Sequence, residues 1–558
     1  MAWIKRSILN TVSEIVMERT GMTEDELVND SRVYFYPNIP EAAALTVKHI
    51  KENHVIRCYG DYDTDGVTSL FILEDGFKTI GYDNVEFIAP RRFSDGYGIN
   101  VARVKDLYEE GCQLLITIDN GIAALDAIQL ARTLGMDVII LDHHEAFVNE
   151  TGSIELPNAN VIVDPHVTGG FVVGENHRFE DLCGAGIGYY FIKELFTQLE
   201  LNPNLYEDAM HEITIAAGIG TVGDLVELVD DNRRIVRRAL EYMSKGYGTA
   251  GLRCLMEELN IDHPSSTDIG FGISPCINAS GRLYDTGAEM MVKMLMHREC
   301  DEELARMVSD AKKTNDDRKE MTRKAVAKAE DMMLDRGDES VIVLLDDELS
   351  PGIAGLVSSS LTETYYRPSI VLTKNALNVC KGSGRSIPEV DLKGSLDQVQ
   401  NLLLAYGGHP MAAGVSMKAE NVDAFRDAIC AVVPKIPMPT DRYYDIEAST
   451  DITELTEILK SIEKFEPYGQ GNEPLTVFIP GIELGDSMGN THRMIGKDKT
   501  HVKFMLKNKL DMVWFDGAAE YNLLGKPKKI DVLCELGWNS FNGNTFVQVR
   551  IKRLRPAM

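Results

Sequence analysis

The sequence predicts an α/β protein: two α/β domains joined by one long helix and followed by a small all-β barrel. Three observations predict it. Before residue 301, short apolar runs repeatedly end in an acidic or histidine-containing turn, with helical patterns between them. Residues 301–335 are strongly charged and hold neither glycine nor proline. The closing stretch turns to short alternating runs separated by Gly and Asn.

The apolar runs are Val55-Ile-Arg-Cys-Tyr59 ahead of Gly60-Asp61, Leu114-Leu-Ile-Thr-Ile118 ahead of Asp119, Val138-Ile-Ile-Leu141 ahead of Asp142, and Val161-Ile-Val163 ahead of Asp164. Short runs of apolar, β-branched residues suit strands buried on both faces of a parallel sheet. Residues 124–134 carry a helical pattern between two of them, and strand alternating with helix makes an open α/β domain. Ligands in such sheets bind beyond the carboxyl ends of the strands, where these acidic residues fall. The charged stretch reads as one helix, about 50 Å long at 1.5 Å per residue, and a helix that polar commonly bridges domains. A second α/β pattern runs from residue 341 to about residue 433, with glycine-rich points at Gly382, Gly384, Gly407 and Gly408; residues 434–439 read as a linker. Beyond it, Val547-Gln-Val-Arg-Ile-Lys552 alternates with a period of two and His501-Val-Lys-Phe-Met-Leu506 reads as another strand. Short strands with such turns suggest a small barrel, an OB-fold being the natural candidate. The expected units are residues 1–300, 301–337, 338–435 and 436–558.

The 558 residues, 44% hydrophobic and 26% charged, describe an ordinary globular chain rather than disorder. No run approaches the roughly 20 apolar residues of a membrane span, so no membrane is expected. Lys5 and Arg6 are followed by Ser7, Asn10, Ser13 and Glu14 without a small-residue cleavage site, so no signal peptide is read. Nine scattered cysteines without a CxxC pair support neither a zinc cage nor a disulfide framework, and reduced thiols point to the cytoplasm. The net charge of −29 argues at first against a polyanionic partner. Yet residues 488–558 hold 13 Lys or Arg against 6 Asp or Glu, which fits a basic binding module on an acidic body.

The chemistry lies in the strand-end residues. Asp61, Asp63 and Asp65 stand at i, i+2 and i+4, and in extended backbone residues two apart share a face, so these carboxylates are expected to converge. Three like charges that close repel unless cations neutralise them. Asp119 adds a carboxylate from a second strand, and Asp142-His143-His144 adds imidazoles from a third, with Asp142 able to fix a histidine tautomer. Oxygen and imidazole donors without thiolate favour Mn²⁺ or Mg²⁺. Two such ions roughly 3.5–4 Å apart can clamp a phosphate and activate water. One aspartate after a strand can be a mere helix cap, but a set aligned at successive strand ends exceeds that role. Gly218-Ile-Gly-Thr-Val-Gly223 formally fits the dinucleotide pattern GxGxxG, yet no acidic ribose ligand follows about 20 residues on in a βαβ context.

Asp61-Tyr-Asp-Thr-Asp-Gly66, Ile118-Asp-Asn-Gly121 and Asp142-His-His144 resemble, in order and spacing, the first three motifs of the DHH phosphoesterase superfamily, and Gly220-Thr-Val-Gly-Asp224 resembles the fourth. The resemblance implies that Asp63, Asp65, Asp119, His143 and Asp224 hold two divalent cations, Mn²⁺ or Mg²⁺, with Asp61 as a further member. It places His144 against the scissile phosphate and Asp142 behind it. Within the superfamily, further segments resemble RecJ-like proteins. The segment from Pro90 to Gly98 implies a phosphate contact by Arg92, and Ser274-Pro-Cys-Ile-Asn-Ala-Ser-Gly-Arg282 places Asn278 and Arg282 along a DNA strand. Gly382-Ser-Gly-Arg-Ser386 and Gly407-Gly-His-Pro-Met-Ala-Ala-Gly414 resemble the DHH-associated domain, implying Ser383 and Arg385 at the 5′-terminal phosphate and His409 at the scissile one. Glu466-Pro-Tyr-Gly-Gln-Gly-Asn472 resembles the stretch before the family's OB-fold. The sequence departs from the pattern at Asp164, where many RecJ-like proteins carry Asn, and its first 30 residues match nothing diagnostic.

The resemblance thus implies a hydrolase: a 5′-to-3′ exonuclease that degrades single-stranded DNA to mononucleotides in DNA repair and recombination. It would be a cytoplasmic monomer whose partners include a helicase or a single-strand-binding protein. Lys503, Arg550 and Lys552 beside Phe504 and Trp514 suit an electrostatic groove with stacking platforms, although the two aromatics also read as barrel core. One alternative is a small-substrate phosphoesterase of the same superfamily, which the extra C-terminal barrel disfavours. Another is a catalytically idle scaffold of a replication complex, which the complete ligand set disfavours.

Overall fold

Strands that are apolar on both faces need helices over each face, and the first sheet meets that need with parallel crossovers. The computed structural model describes residues 2–92, 96, 98–148, 152–334, 338–541 and 544–557. Strands β1 (Ile56–Tyr59), β2 (Val85–Ile88), β3 (Leu114–Ile118), β4 (Asp137–Leu141) and β5 (Val161–Val163) all pair in parallel, in the order β2-β1-β3-β4-β5. The chain leaves β1 to one side and returns to β3 on the other. The crevice beyond those two strands is therefore the point where the sheet reverses direction, the usual ligand position in such folds.

Helix α1 (Thr64–Ile80) starts immediately after β1, capped by Asp63 and ended by Gly81 in the left-handed conformation. Helices α2 (Gly184–Gln198) and α3 (Pro203–Gly223) pack against it through glycines. A Cβ on Gly220 would lie 2.5 Å from Ala185 Cβ and 2.7 Å from Asp65 Oδ1, and one on Gly223 would lie 2.6 Å from Thr64 Cγ2. Gly218 abuts Ala239 of α4 (Asp230–Ser244) in the same way. The GxGxxG spacing is therefore a helix-packing face inside α3, not a phosphate loop.

Helix α5 (Ser274–Leu283) packs against the connecting helix α6 (Glu302–Leu334), whose 33 residues span about 50 Å. Residues 335–337 of the expected span lie outside the described residues. Leu304, Val308 and Ala311 of α6 bury into the first domain's core and Ala329 into the second's. The second domain is a mixed sheet of β6 (Ile342–Leu345), β7 (Ser369–Lys374), β8 (Val379–Arg385), β9 (Ala405–His409) and β10 (Ala412–Lys418), ordered β6-β7-β8-β10-β9, with α7 (Ala354–Tyr365) against it.

The C-terminal domain orders its strands β11-β12-β16-β17-β15-β14-β13 around one core. They are β11 (Ile446–Glu447), β12 (Val477–Glu483), β13 (His492–Ile495), β14 (His501–Phe504), β15 (Asp511–Trp514), β16 (Lys529–Phe541) and β17 (Asn544–Pro556). Phe504 and Trp514 are 1% and 4% exposed and belong to that core, so neither can stack on a base. Lys503 pairs with the buried Asp511 and Lys552 with Glu535, leaving a less open basic groove than the composition suggests.

The start of the chain departs from expectation. Trp3–Lys5 pairs in parallel with Arg442–Tyr444. Val12, Ile15, Val16 and Leu27 share a core with Ile462, Phe465, Tyr468 and Leu475. Residues 2–29, expected within the first domain, thus pack on the C-terminal domain, because their apolar face finds its partners there. Arg233 of α4, 1% exposed, donates to the carbonyls of Leu27, Phe465 and Glu466 and so ties both ends to the first domain. Among the described residues, no helix is long and apolar enough to cross a membrane.

Candidate metal centre and phosphate interface

The strand-end residues meet in the crevice between β1 and β3. Asp61, Asp63 and Asp119 form one group able to hold a metal ion, Asp65, His143 and Asp224 a second, and Asp119, His143 and His144 a third. His143 Nε2 stands 3.1 Å from Asp119, 3.6 Å from Asp65 and 3.8 Å from Asp224. The route to convergence differs from the extended strand face expected. Asp63 caps α1, accepting from the backbone N–H groups of Asp65 and Gly66, and Asp65 lies in the helix's first turn. One Asp63 oxygen therefore has the capping role, while Asp65 is turned into the crevice and accepts from the N–H groups of Gly184 (2.7 Å) and Ala185 (2.9 Å) at the start of α2. Asp119 adopts a left-handed backbone with φ of 59°. Its turn is braced by Asn120, whose Nδ2 donates to the Gly60 and Ile118 carbonyls. Such strain in an aspartate collects at functional sites.

The electrostatics ask for cations. Burial and neighbouring carboxylates push Asp61, Asp119 and Asp224 well above the usual range and Asp65 up to about 6. Asp61 Oδ1 is buried without a hydrogen-bond partner. Burial lowers His143 to about 3, leaving a neutral imidazole, the form that binds metal. Burial would also discharge His144, but its 2.7 Å hydrogen bond to Asp142 and that carboxylate's charge raise it to about 9. Asp142 also accepts from the N–H groups of Ile122 and His143, so it orders the turn and sets the His144 tautomer. The donor set is all oxygen and imidazole, and the residues present fit hard divalent cations. Asp164 belongs to none of these three groups but borders them: burial and the Asp142 charge push it up to about 7. It caps the short helix Pro165–Thr168 and accepts from the His166 N–H.

Four arginines gather beside this centre. Arg92 lies over the Tyr62 ring, 4.6 Å from its centroid. Phe93, Ser94, Asp95 and Tyr97 of that segment lie outside the described residues. Burial and the nearby charges of Arg92, Arg318 and Arg385 lower Arg282 to about 10. Among the described residues, none of the four has a carboxylate within salt-bridge distance, in a chain of net charge −29. Arg385 donates to Ser383 Oγ at 3.0 Å, and Gly355 of α7 leaves room beside them, where a Cβ would lie 3.1 Å from each side chain. Arg282 reaches the Gly352 carbonyl across the domain junction. His409 crosses it too, 3.7 Å from Glu145, the residue after His144. Asn278 is less free than expected, since its Oδ1 accepts from the Thr64 N–H and braces the Asp63 turn.

The sequence reading missed Gly184, Ala185, Asn120, Arg318 and Gly355. The glycine-rich run Gly184-Ala-Gly-Ile-Gly188 is a signal for close approach to a helix start. Arg318 has none, being one charge among many on α6.

Family comparisons match this architecture. The models for the DHH family N-terminal domain, the DHHA1 domain and the RecJ OB domain match residues 55–221, 338–435 and 446–553. The chain thus carries a DHH family domain at residues 55–221. It is 31% identical over 522 residues to the Bacillus subtilis protein named single-stranded-DNA-specific exonuclease RecJ, covering 92% of this chain and 62% of that one. The chain thus spans under two thirds of that relative's length. With the Haemophilus influenzae protein of the same name, identity is 27% and coverage 96% and 93%. Among solved structures, RecJ from Thermus thermophilus in complex with Mn²⁺ superimposes with a TM-score of 0.81 at 25% identity, covering all of this chain and 80% of that one. The likeness to that fold therefore extends through all three domains.

Proposed function

We propose that this chain is a metal-dependent exonuclease that hydrolyses single-stranded DNA from its 5′ end to mononucleotides, in DNA repair and recombination. The observation that carries the reading is the set of overlapping carboxylate–imidazole groups, linked through Asp119 and His143, beside four arginines without carboxylate partners among the described residues. Two Mn²⁺ or Mg²⁺ ions held by Asp61, Asp63, Asp65, Asp119, His143 and Asp224 would supply positive charge for the phosphoryl oxygens and for water activation. Asp142 accepts a hydrogen bond from His144 Nδ1–H, so Nε2 is the atom left to meet a phosphoryl oxygen. His409 approaches the same phosphate from the second domain. Arg92, Asn278 and Arg282 position the backbone, and Ser383 and Arg385 receive the 5′-terminal phosphate, whose planar bidentate recognition suits guanidinium. Arg318 joins that set.

A nuclease confined to single strands depends on a supply of them, which makes a helicase or a single-strand-binding protein the fitting partner class. Each ligand group comes from one chain, in keeping with a monomer, and nine free cysteines suit the cytoplasm. The test is hydrolysis of 5′-labelled and 3′-labelled oligonucleotides with Mn²⁺, beside the duplex and a dinucleotide. Immediate release of the 5′ label as mononucleotide, with blunt duplex spared, is expected. Cleavage of the dinucleotide alone would move the chain to the small-substrate class, and no turnover with metal bound would make it a scaffold.

A further inference from the structure

Six of the nine cysteines are buried. Cys254 and Cys300 are not, and they meet: their Sγ atoms lie 3.5 Å apart although 46 residues separate them in sequence. Cys254 is half-buried on the helix Ala250–Glu258, and Cys300 is exposed in the connection between the helix Gly287–Leu295 and α6. Buried thiols are inert, whereas an accessible thiol beside a second one is the arrangement that redox chemistry uses.

The backbone brings the two together. The Gly251 N–H donates to the His297 carbonyl at 3.2 Å. A Cβ on Gly251 would lie 1.9 Å from the Met294 carbonyl oxygen, an approach only glycine permits. Arg298 pairs with Asp75 and Glu212, and His297 Nε2 stands 3.2 Å from Asp301, so the residues on both sides of Cys300 are held. Leu255 and Leu304, close to the pair in sequence, share the first domain's core. A disulfide needs its sulfurs at about 2.05 Å, a short step from contact for an exposed side chain. Burial and the hydrogen bond with Cys300 push Cys254 up to about 11, so the exposed Cys300 is the thiol that meets an oxidant.

We infer that Cys254 and Cys300 form a two-thiol oxidation site for hydroperoxides, closing to a reversible disulfide that ties the root of the connecting helix to the first domain. The Cys300 thiolate attacks the peroxide, the O–O bond breaks, and the leaving oxygen departs as water or an alcohol, giving a sulfenic acid. Cys254 sulfur then displaces the sulfenic hydroxyl. Its own proton leaves with that hydroxyl as water, and two thiols have given two electrons to one peroxide. The test treats the reduced full chain with hydrogen peroxide, alkylates the remaining thiols, and reads tryptic peptides by mass spectrometry. Two of the nine thiols escape alkylation, the peptides of Cys254 and Cys300 are found joined, and dithiothreitol restores both. Cys254→Ser stops at a Cys300 sulfenic acid that dimedone traps, and Cys300→Ser loses no thiol. The oxidised wild type melts a few degrees above the reduced chain, a gain absent from Cys300→Ser. Full alkylation after peroxide is consumed, or a Cys300-linked dimer on a non-reducing gel, overturns the site. A joined pair with an unchanged melting temperature overturns the tie.

Discussion

At the scale of single residues, Asp119 and Asp142 do different work with the same carboxylate. Asp119 faces His143 and the other carboxylates, so losing its charge should remove a cation. Asp119→Asn is the cleanest variant, because asparagine tolerates the left-handed backbone that alanine would strain. It should lower hydrolysis on the order of 100-fold, with far-UV circular dichroism unchanged; full activity would sink the ligand assignment. Asp142 is spent on three backbone N–H groups and the His144 ring. Asp142→Asn should cost about 10–100-fold through misplacement of His144, with Mn²⁺ stoichiometry by calorimetry kept. Arg318→Ala should weaken strand binding and flatten the log–log salt dependence by about 0.7. The aspartates and histidines that the structure brings together were legible in the sequence, because carboxylates at strand ends leave a pattern. Arg318 was not, because on a charged helix nothing local separates a ligand-facing arginine from a solvated one.

At the scale of elements, the glycines of α3 set how close the site's walls can come. A methyl group on Gly220 would meet Ala185 and the Asp65 carboxylate. Gly220→Ala should therefore destabilise the fold by about 1–3 kcal/mol and also lose part of the extra stability that Mn²⁺ confers on the wild type. Thermal melts with and without Mn²⁺ separate the two effects; an unchanged Mn²⁺ increment would mean that α3 spacing does not shape the site. The strands β1, β3, β4 and β5 and the charged helix were readable, since continuous apolar runs and an unbroken polar stretch are strong signals. The edge strand β2, Val-Glu-Phe-Ile, was not, because Glu86 breaks its apolar run and none of its residues is fully buried. The trio around Asp63 was read as extended because spacing alone cannot tell a strand end from a helix start.

At the scale of the whole molecule, the surprise is that the two ends of the chain share a core. Removing residues 437–558 would uncover Val12, Ile15, Val16 and Leu27 and take from Arg233 two of its three acceptors. That truncation should aggregate on size-exclusion chromatography, and deleting residues 2–30 as well should restore a monomeric peak. No local signal in the first 30 residues reveals their partner, since an amphipathic helix does not name what it packs on. The arrangement also has a timetable. Ile15 leaves the ribosome more than 400 residues ahead of Ile446 and Phe465, its neighbours in the shared core, an interval of roughly 20–90 s at 5–20 residues per second. For all of that time the catalytic crevice can assemble while its leading segment waits unpartnered, so arrival of residues 446–475, rather than formation of the active centre, is the event that closes this core.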